Sequence, residues 1–140
     1  MRFLMAVMAN ADSEANVMPS QEVIKAMSDY NEELVKAGVL LAAEGLHPSS
    51  KGFRTEITTG GGRAVVDGPF TETKELIAGF WLLQVRSREE MLEWAKRCPA
   101  PVTVREVFDA EDFAAEVLTP EEAERERRMR EESRKQGGVG

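Results

Sequence analysis

The chain has 140 residues, a length that suits one domain with a single modest core. Apolar residues make up 42% and charged residues 31%, the balance of a folded globular chain and not of a disordered one. The formal net charge is −7, and the charges of residues 120–136 cancel among themselves, so the body is acidic and lacks the basic patch that nucleic-acid binding needs.

No run approaches the roughly 18 apolar residues of a membrane span. Met1–Met8 is too short to hold a signal peptide's apolar region and cleavage site, so it reads as a first strand, and a cytoplasmic protein is expected. The single cysteine, Cys98, rules out an intrachain disulfide. No histidine lies near it in sequence to activate it, so a structural thiol is expected.

Residues 1–8 are almost all apolar, as in a strand covered on both faces. Residues 9–18 form a polar connection. Pro19 and Ser20 open a helix in which Val23, Ile24, Met27, Tyr30, Leu34 and Val35 recur at helical spacing, and Gly38 stops it. Val39–Leu46 is a second apolar strand, and Phe53–Thr59 a third with alternating sides. Gly60-Gly61-Gly62 leads into the short strand Arg63–Asp67, which makes a hairpin. A phosphate-binding loop would lead into a helix N-terminus instead.

Ile77–Arg86 is a long strand. Ser87-Arg88-Glu89-Glu90 is a capping box opening a helix that buries Met91, Leu92, Trp94 and Ala95, and Lys96 and Arg97 favour its C-terminal end. Val102–Phe108 is the last strand of the set. Asp109 caps a short helical stretch around Glu111–Leu118. Thr119-Pro120-Glu121-Glu122 caps a final helix to about Lys135, whose only apolar residues are Ala123 and Met129, so it buries no face of its own.

The order β-α-β-(hairpin)-β-α-β with a C-terminal helix defines an α+β, ferredoxin-like domain over residues 1–118 and a charged helical extension over 119–140. Two helices cover one sheet face. Yet Ile77, Gly79, Trp81, Leu83 and Val85 alternate with Ala78, Phe80 and Leu82, so the strand is apolar on both faces. An apolar face of that size left open is an association surface, and a homodimer with sheet packed on sheet is expected.

Asp67-Gly68-Pro69-Phe70-Thr71-Glu72-Thr73-Lys74-Glu75 closely resembles the DGPF (DGPFAETKE) branch of the YCII-related family. The likeness continues through Leu76–Trp81, and it extends to Gly38–Pro48 and Trp94–Pro99, covering about residues 1–110. The resemblance implies a dimeric α/β barrel of ferredoxin-like protomers. Some members of the wider family are thought to be acid–base enzymes using a His/Asp pair, and some DGPF proteins are associated with extracytoplasmic-function sigma factors. The wider family's histidine lies on or near the first helix. Residues 19–37 contain none, so that pair is not carried over.

The one histidine, His47, follows the second strand, where a neutral-pH general base or a surface residue are both natural readings. Asp67 is either a turn cap for amides two residues on or a carboxylate that orients His47. Glu44, Lys74 and Glu75 are candidates for a rim cleft, with Lys74 holding an anionic group if it pairs with Asp67 or Glu44. Trp81, with Phe3 or Met5, is a candidate pocket wall as well as a core residue. No metal-ligand spacing, dinucleotide fingerprint or P-loop is present, so neither metal nor cofactor is expected. Two readings follow. One is a small-molecule binder or acid–base enzyme with His47 and Asp67 at its centre, and the other is a non-catalytic interaction or regulatory module.

Overall fold

The computed structural model describes residues 1–113 and 117–137. Its elements in chain order are β1 (Arg2–Met8), α1 (Ala11–Glu14), α2 (Gln21–Lys36), β2 (Leu40–Gly45), β3 (Phe53–Ile57), β4 (Arg63–Asp67), β5 (Ile77–Gln84), α3 (Arg88–Arg97), β6 (Thr103–Glu106) and α4 (Pro120–Lys135). Four strands form an antiparallel sheet in the order β2-β5-β1-β6, and β3 and β4 form a separate two-stranded hairpin. This is the ferredoxin-like α+β arrangement with an inserted hairpin and a C-terminal helix.

The register sorts side chains between the two sheet faces. Met5 lies opposite Trp81 and Val104, and Trp81 lies opposite Ala43. Paired residues share a face. Phe3, Met5, Trp81, Leu83 and Val85 therefore join Tyr30 and Leu34 of α2 and Met91 and Trp94 of α3 in one core. Met5, Leu34, Leu83 and Met91 are the largest side chains sealed completely. Tyr30 ties the layers together. Its ring meets Trp81 edge-on at 5.9 Å and Trp94 at 6.3 Å. Its hydroxyl donates to the Trp94 carbonyl at 2.7 Å, which satisfies the one polar atom that the ring carries into the core.

The opposite face carries Leu4 and Ala6 of β1, Ala78, Phe80 and Leu82 of β5, and Ala42 of β2. None of these belongs to the core cluster, and all but Ala6 are only partly buried. Both core helices lie on the other side.

Local chemistry sets the helix ends. Ser20 caps α2 by accepting from Val23 N–H at 3.3 Å, and Gly38 leaves the helix at φ +73°, a conformation that favours glycine. Ser87 caps α3 at 3.1 Å from Glu90 N–H. Glu90 does not close the expected box, because its carboxylate reaches one residue further and accepts from Arg86 N–H at 2.8 Å. That amide bond, with the Arg86 guanidinium, holds the Glu90 carboxyl below its ordinary value. Thr119 and Glu122 do form a reciprocal box at α4. Ion pairs Glu124–Arg127, Glu126–Arg130 and Glu131–Lys135 lace α4, which buries no residue.

Several expectations change. The connection at 9–18 contains the short helix α1, capped reciprocally by Asn10 and Ser13. Leu92, expected in the core, is 44% exposed. The stretch expected to be helical around 111–118 begins as a 3-10 turn at Ala110–Asp112, and residues 114–116 lie outside the described residues. The triple glycine, as expected, is the hairpin turn, with Gly60 and Gly61 both at positive φ.

Candidate functional site

A cavity of about 640 Å³ opens between the first half of α2 and the end of the sheet where β1 finishes and β5 begins. Three segments build it. The first two turns of α2 and the next contribute Val23, Ile24, Met27, Ser28 and Asn31. The chain between α1 and α2 contributes Val17, Met18 and Pro19, and α1 itself Asp12 and Ser13. The floor comes from Val7, Ala43, Gly45, Gly79 and Trp81.

The floor explains why space exists. Gly45 of β2 pairs with Gly79 of β5, and both fall on the helix-facing side. Two facing glycines remove the side chains that would fill this end of the core. A Cβ on Gly79 would stand 3.0 Å from the Glu44 carbonyl oxygen, so that position is tight. A Cβ on Gly45 would meet nothing within 4 Å and would project into the opening. Above the floor, Val23 and Ile24 are 46% and 48% exposed although their spacing matches a core stripe. They line the cavity instead.

Trp81 is the aromatic wall, as the sequence allowed, but Phe3 and Met5 are sealed in the core and Val7 takes their place. The indole Nε1–H of Trp81 donates to Asn31 Oδ1 at 2.7 Å. Glu44 also borders the cavity. By register it shares the face of Phe80, opposite to that of Trp81, so it borders the cavity through the strand backbone.

The other candidate residues lie elsewhere. His47 is exposed, just beyond Leu46, whose N–H bonds the Ala78 carbonyl at 2.8 Å. Asp67 ends β4 opposite Phe53 and is exposed. Lys74 and Glu75 sit in an exposed 3-10 turn at Thr73–Glu75. Among the described residues, no hydrogen bond or ion pair joins His47, Asp67, Glu44 and Lys74, and only Glu44 and Trp81 reach the cavity.

Asp67 does not cap its own turn. Gly68 N–H donates to the Gly52 carbonyl at 3.0 Å, and Phe70 N–H donates to Ser49 Oγ at 2.9 Å. Ser49 in turn donates through its hydroxyl to Glu14 Oε2 and through its amide to Glu14 Oε1 at 2.9 Å. Gly68 lies so close that a Cβ there would fall 1.9 Å from the Ser49 carbonyl oxygen. Arg54 stacks on the Phe70 ring at 3.8 Å. The charged loop is therefore clamped onto Ser49, and Ser49 is fastened to α1, one wall of the cavity. Neither Glu14 nor Ser49 stands out in the sequence, because their contact spans 35 positions.

Cys98 caps the end of α3, half-buried, and burial pushes its thiol above the ordinary value, away from a nucleophile's thiolate.

An antiparallel α+β domain with a cavity between helix and sheet defines the class, and comparison with known proteins narrows it. The model of the YCII-related domain matches residues 1–111, and the chain belongs to that family. An uncharacterized protein of Rhizobium meliloti (strain 1021) is 34% identical over 76 residues, which are 54% of this chain. The match spans 60% of that relative's length. The solved structure of 5-chloro-2-hydroxyhydroquinone dehydrochlorinase from Burkholderia phenoliruptrix AC1100, in complex with 2,5-dihydroxybenzoquinone, covers 81% of this chain and 100% of its own, with 14% identity and a TM-score of 0.44.

Proposed function

We propose that this protein binds a small molecule in the cavity between α2 and the sheet. The observation that carries the reading is the Gly45–Gly79 floor beneath exposed apolar side chains of α2. Water-exposed Val23, Ile24 and Met18 around a concave space gain free energy when an apolar ligand covers them. The volume, about 640 Å³, falls within the range of small-ligand sites. The reading assigns no chemical step to His47, Asp67 or Lys74, which stand outside the cavity. Gly45→Val tests it. A Cβ there meets no protein atom within 4 Å, so the valine side chain has open space to enter on the cavity side. A thermal-shift screen of small aromatic and carboxylate metabolites should give hits with the native chain that Gly45→Val loses, while the unliganded midpoint stays. Hits that survive the substitution sink the cavity as the site.

A second reading concerns assembly, and it is favoured by the open sheet face. Leu4, Phe80 and Leu82 form an apolar centre that a second copy of the chain would cover. The rims carry opposite charge on that face: Glu44 on edge strand β2, and Arg105, opposite Leu4, on edge strand β6. Neither has an ion-pair partner among the described residues. A two-fold axis parallel to the strands would set β2 over β6 and bring Glu44 toward the partner subunit's Arg105. Sedimentation at micromolar concentration should then report a dimer, and a stable monomer overturns this reading.

A further inference from the structure

We propose that the cavity selects a neutral, mainly apolar molecule bearing a carbonyl-type oxygen, and that the Asn31 carboxamide is the donor that recognises this oxygen. The inference rests on the cavity being the ligand site. An indole N–H only donates, so the atom of Asn31 that meets Trp81 Nε1 at 2.7 Å must be the amide oxygen. That bond fixes the orientation of the whole carboxamide, and its NH2 group is turned elsewhere. Among the described residues this NH2 group has no hydrogen-bond partner, and no buried side-chain nitrogen or oxygen is left unpaired, so it remains open to solvent. Asn31 lines the cavity. A pre-oriented donor pair thus belongs to a cavity whose apolar lining includes Val23, Met27 and Trp81.

Charge narrows the class. The lining includes the carboxylate residues Asp12 and Glu44 and no Lys, Arg or His. A carboxylate or phosphate ligand would leave water with no cation to receive it. An ammonium ligand would gain nothing from the free group of Asn31, which is a donor, and the attraction of Asp12, exposed on α1, is screened by solvent. A neutral acceptor matches both conditions.

Calorimetric titration of the full chain with acetophenone, toluene and benzoate separates these terms. Acetophenone should bind about tenfold or more tightly than toluene, the gain expected of one good hydrogen bond from a positioned donor, and benzoate should not bind. Asn31→Asp keeps an oxygen for the Trp81 indole but replaces the NH2 group with an acceptor. It should weaken acetophenone about tenfold and leave toluene unchanged. Should Asn31→Asp not fold, the ratio of acetophenone to toluene in the native chain decides alone. Equal binding of these two, or binding of benzoate, overturns the donor role while the cavity stands. Binding of none of the three to a chain whose Gly45→Val variant behaves identically overturns the donor role and the cavity together.

Discussion

The two faces of the sheet are built from the same strands and are similarly apolar, yet they end in different environments. Phe3, Met5, Trp81 and Leu83 lie under α2 and α3 and are almost completely sealed. Leu4, Phe80 and Leu82, one residue away along the same strands, remain partly open. Alternation fixes which side chains share a face, but burial depends on what another segment, or another chain, lays over it. A third situation lies at one end of the helix-covered face. There Gly45 and Gly79 withhold side chains, and helix residues that should touch the sheet stand clear of it. The protein thus shows one face closed, one face open, and a gap left within the closed face.

Substitutions at neighbouring positions can test this contrast. Leu83→Ala removes a side chain with no exposed surface, and it should cost about 2–5 kcal/mol in denaturant unfolding, because the core closes only partly around the loss. Leu82→Arg, one position on, should leave far-ultraviolet circular dichroism intact and weaken the proposed dimer at least about 100-fold in sedimentation equilibrium, equal to about 2.7 kcal/mol, since a charge would be buried unpaired between two apolar faces. A Leu82→Arg chain that unfolds as Leu83→Ala does would mean that the two faces are equivalent. Tyr30→Phe should cost about 1 kcal/mol by leaving the Trp94 carbonyl without its donor.

Tyr30 also sets a pH dependence. Burial pushes its phenol above the ordinary value, and the lesser contributions come from Cys98, which raises it, Arg97, which lowers it, and Glu33, which raises it. A raised acid keeps its proton in the folded chain while the unfolded chain loses it. The stability is therefore complete below about pH 10 and declines as the pH climbs beyond it. Alkaline unfolding monitored at several pH values should show this decline in the native chain and a smaller one in Tyr30→Phe.

Much of this architecture was legible in the sequence. The alternation of Ile77–Val85 marked both sheet faces, and Ser20, Ser87 and Thr119 marked three helix starts. The Asp67–Glu75 segment marked the family. The cavity was not legible. Val23 and Ile24 carry the same spacing as Tyr30 and Leu34, but the absence of side chains at Gly45 and Gly79 leaves space in front of them. The chemistry of His47, Asp67 and Lys74 is conspicuous in the linear sequence. The structure leaves them exposed and without bonds to one another, while the quieter residues Asn31, Glu14 and Ser49 make long-range bonds around the cavity.

That division has a physical cause. Helix caps, strand alternation and glycine turns depend on atoms within about four residues of one another, so the sequence alone determined the main helices and strands, their order and, away from the β1 bulge, which side chains share a face. What covers a face, and where space is left, depends on segments brought together from afar. Asn31 meets Trp81 across 50 positions, and Ser49 meets Phe70 across 21. Those encounters follow from packing the whole chain at once, so tertiary structure alone decided where the cavity lies, which carboxamide edge it presents, and why Gly68 must lack a side chain against Ser49.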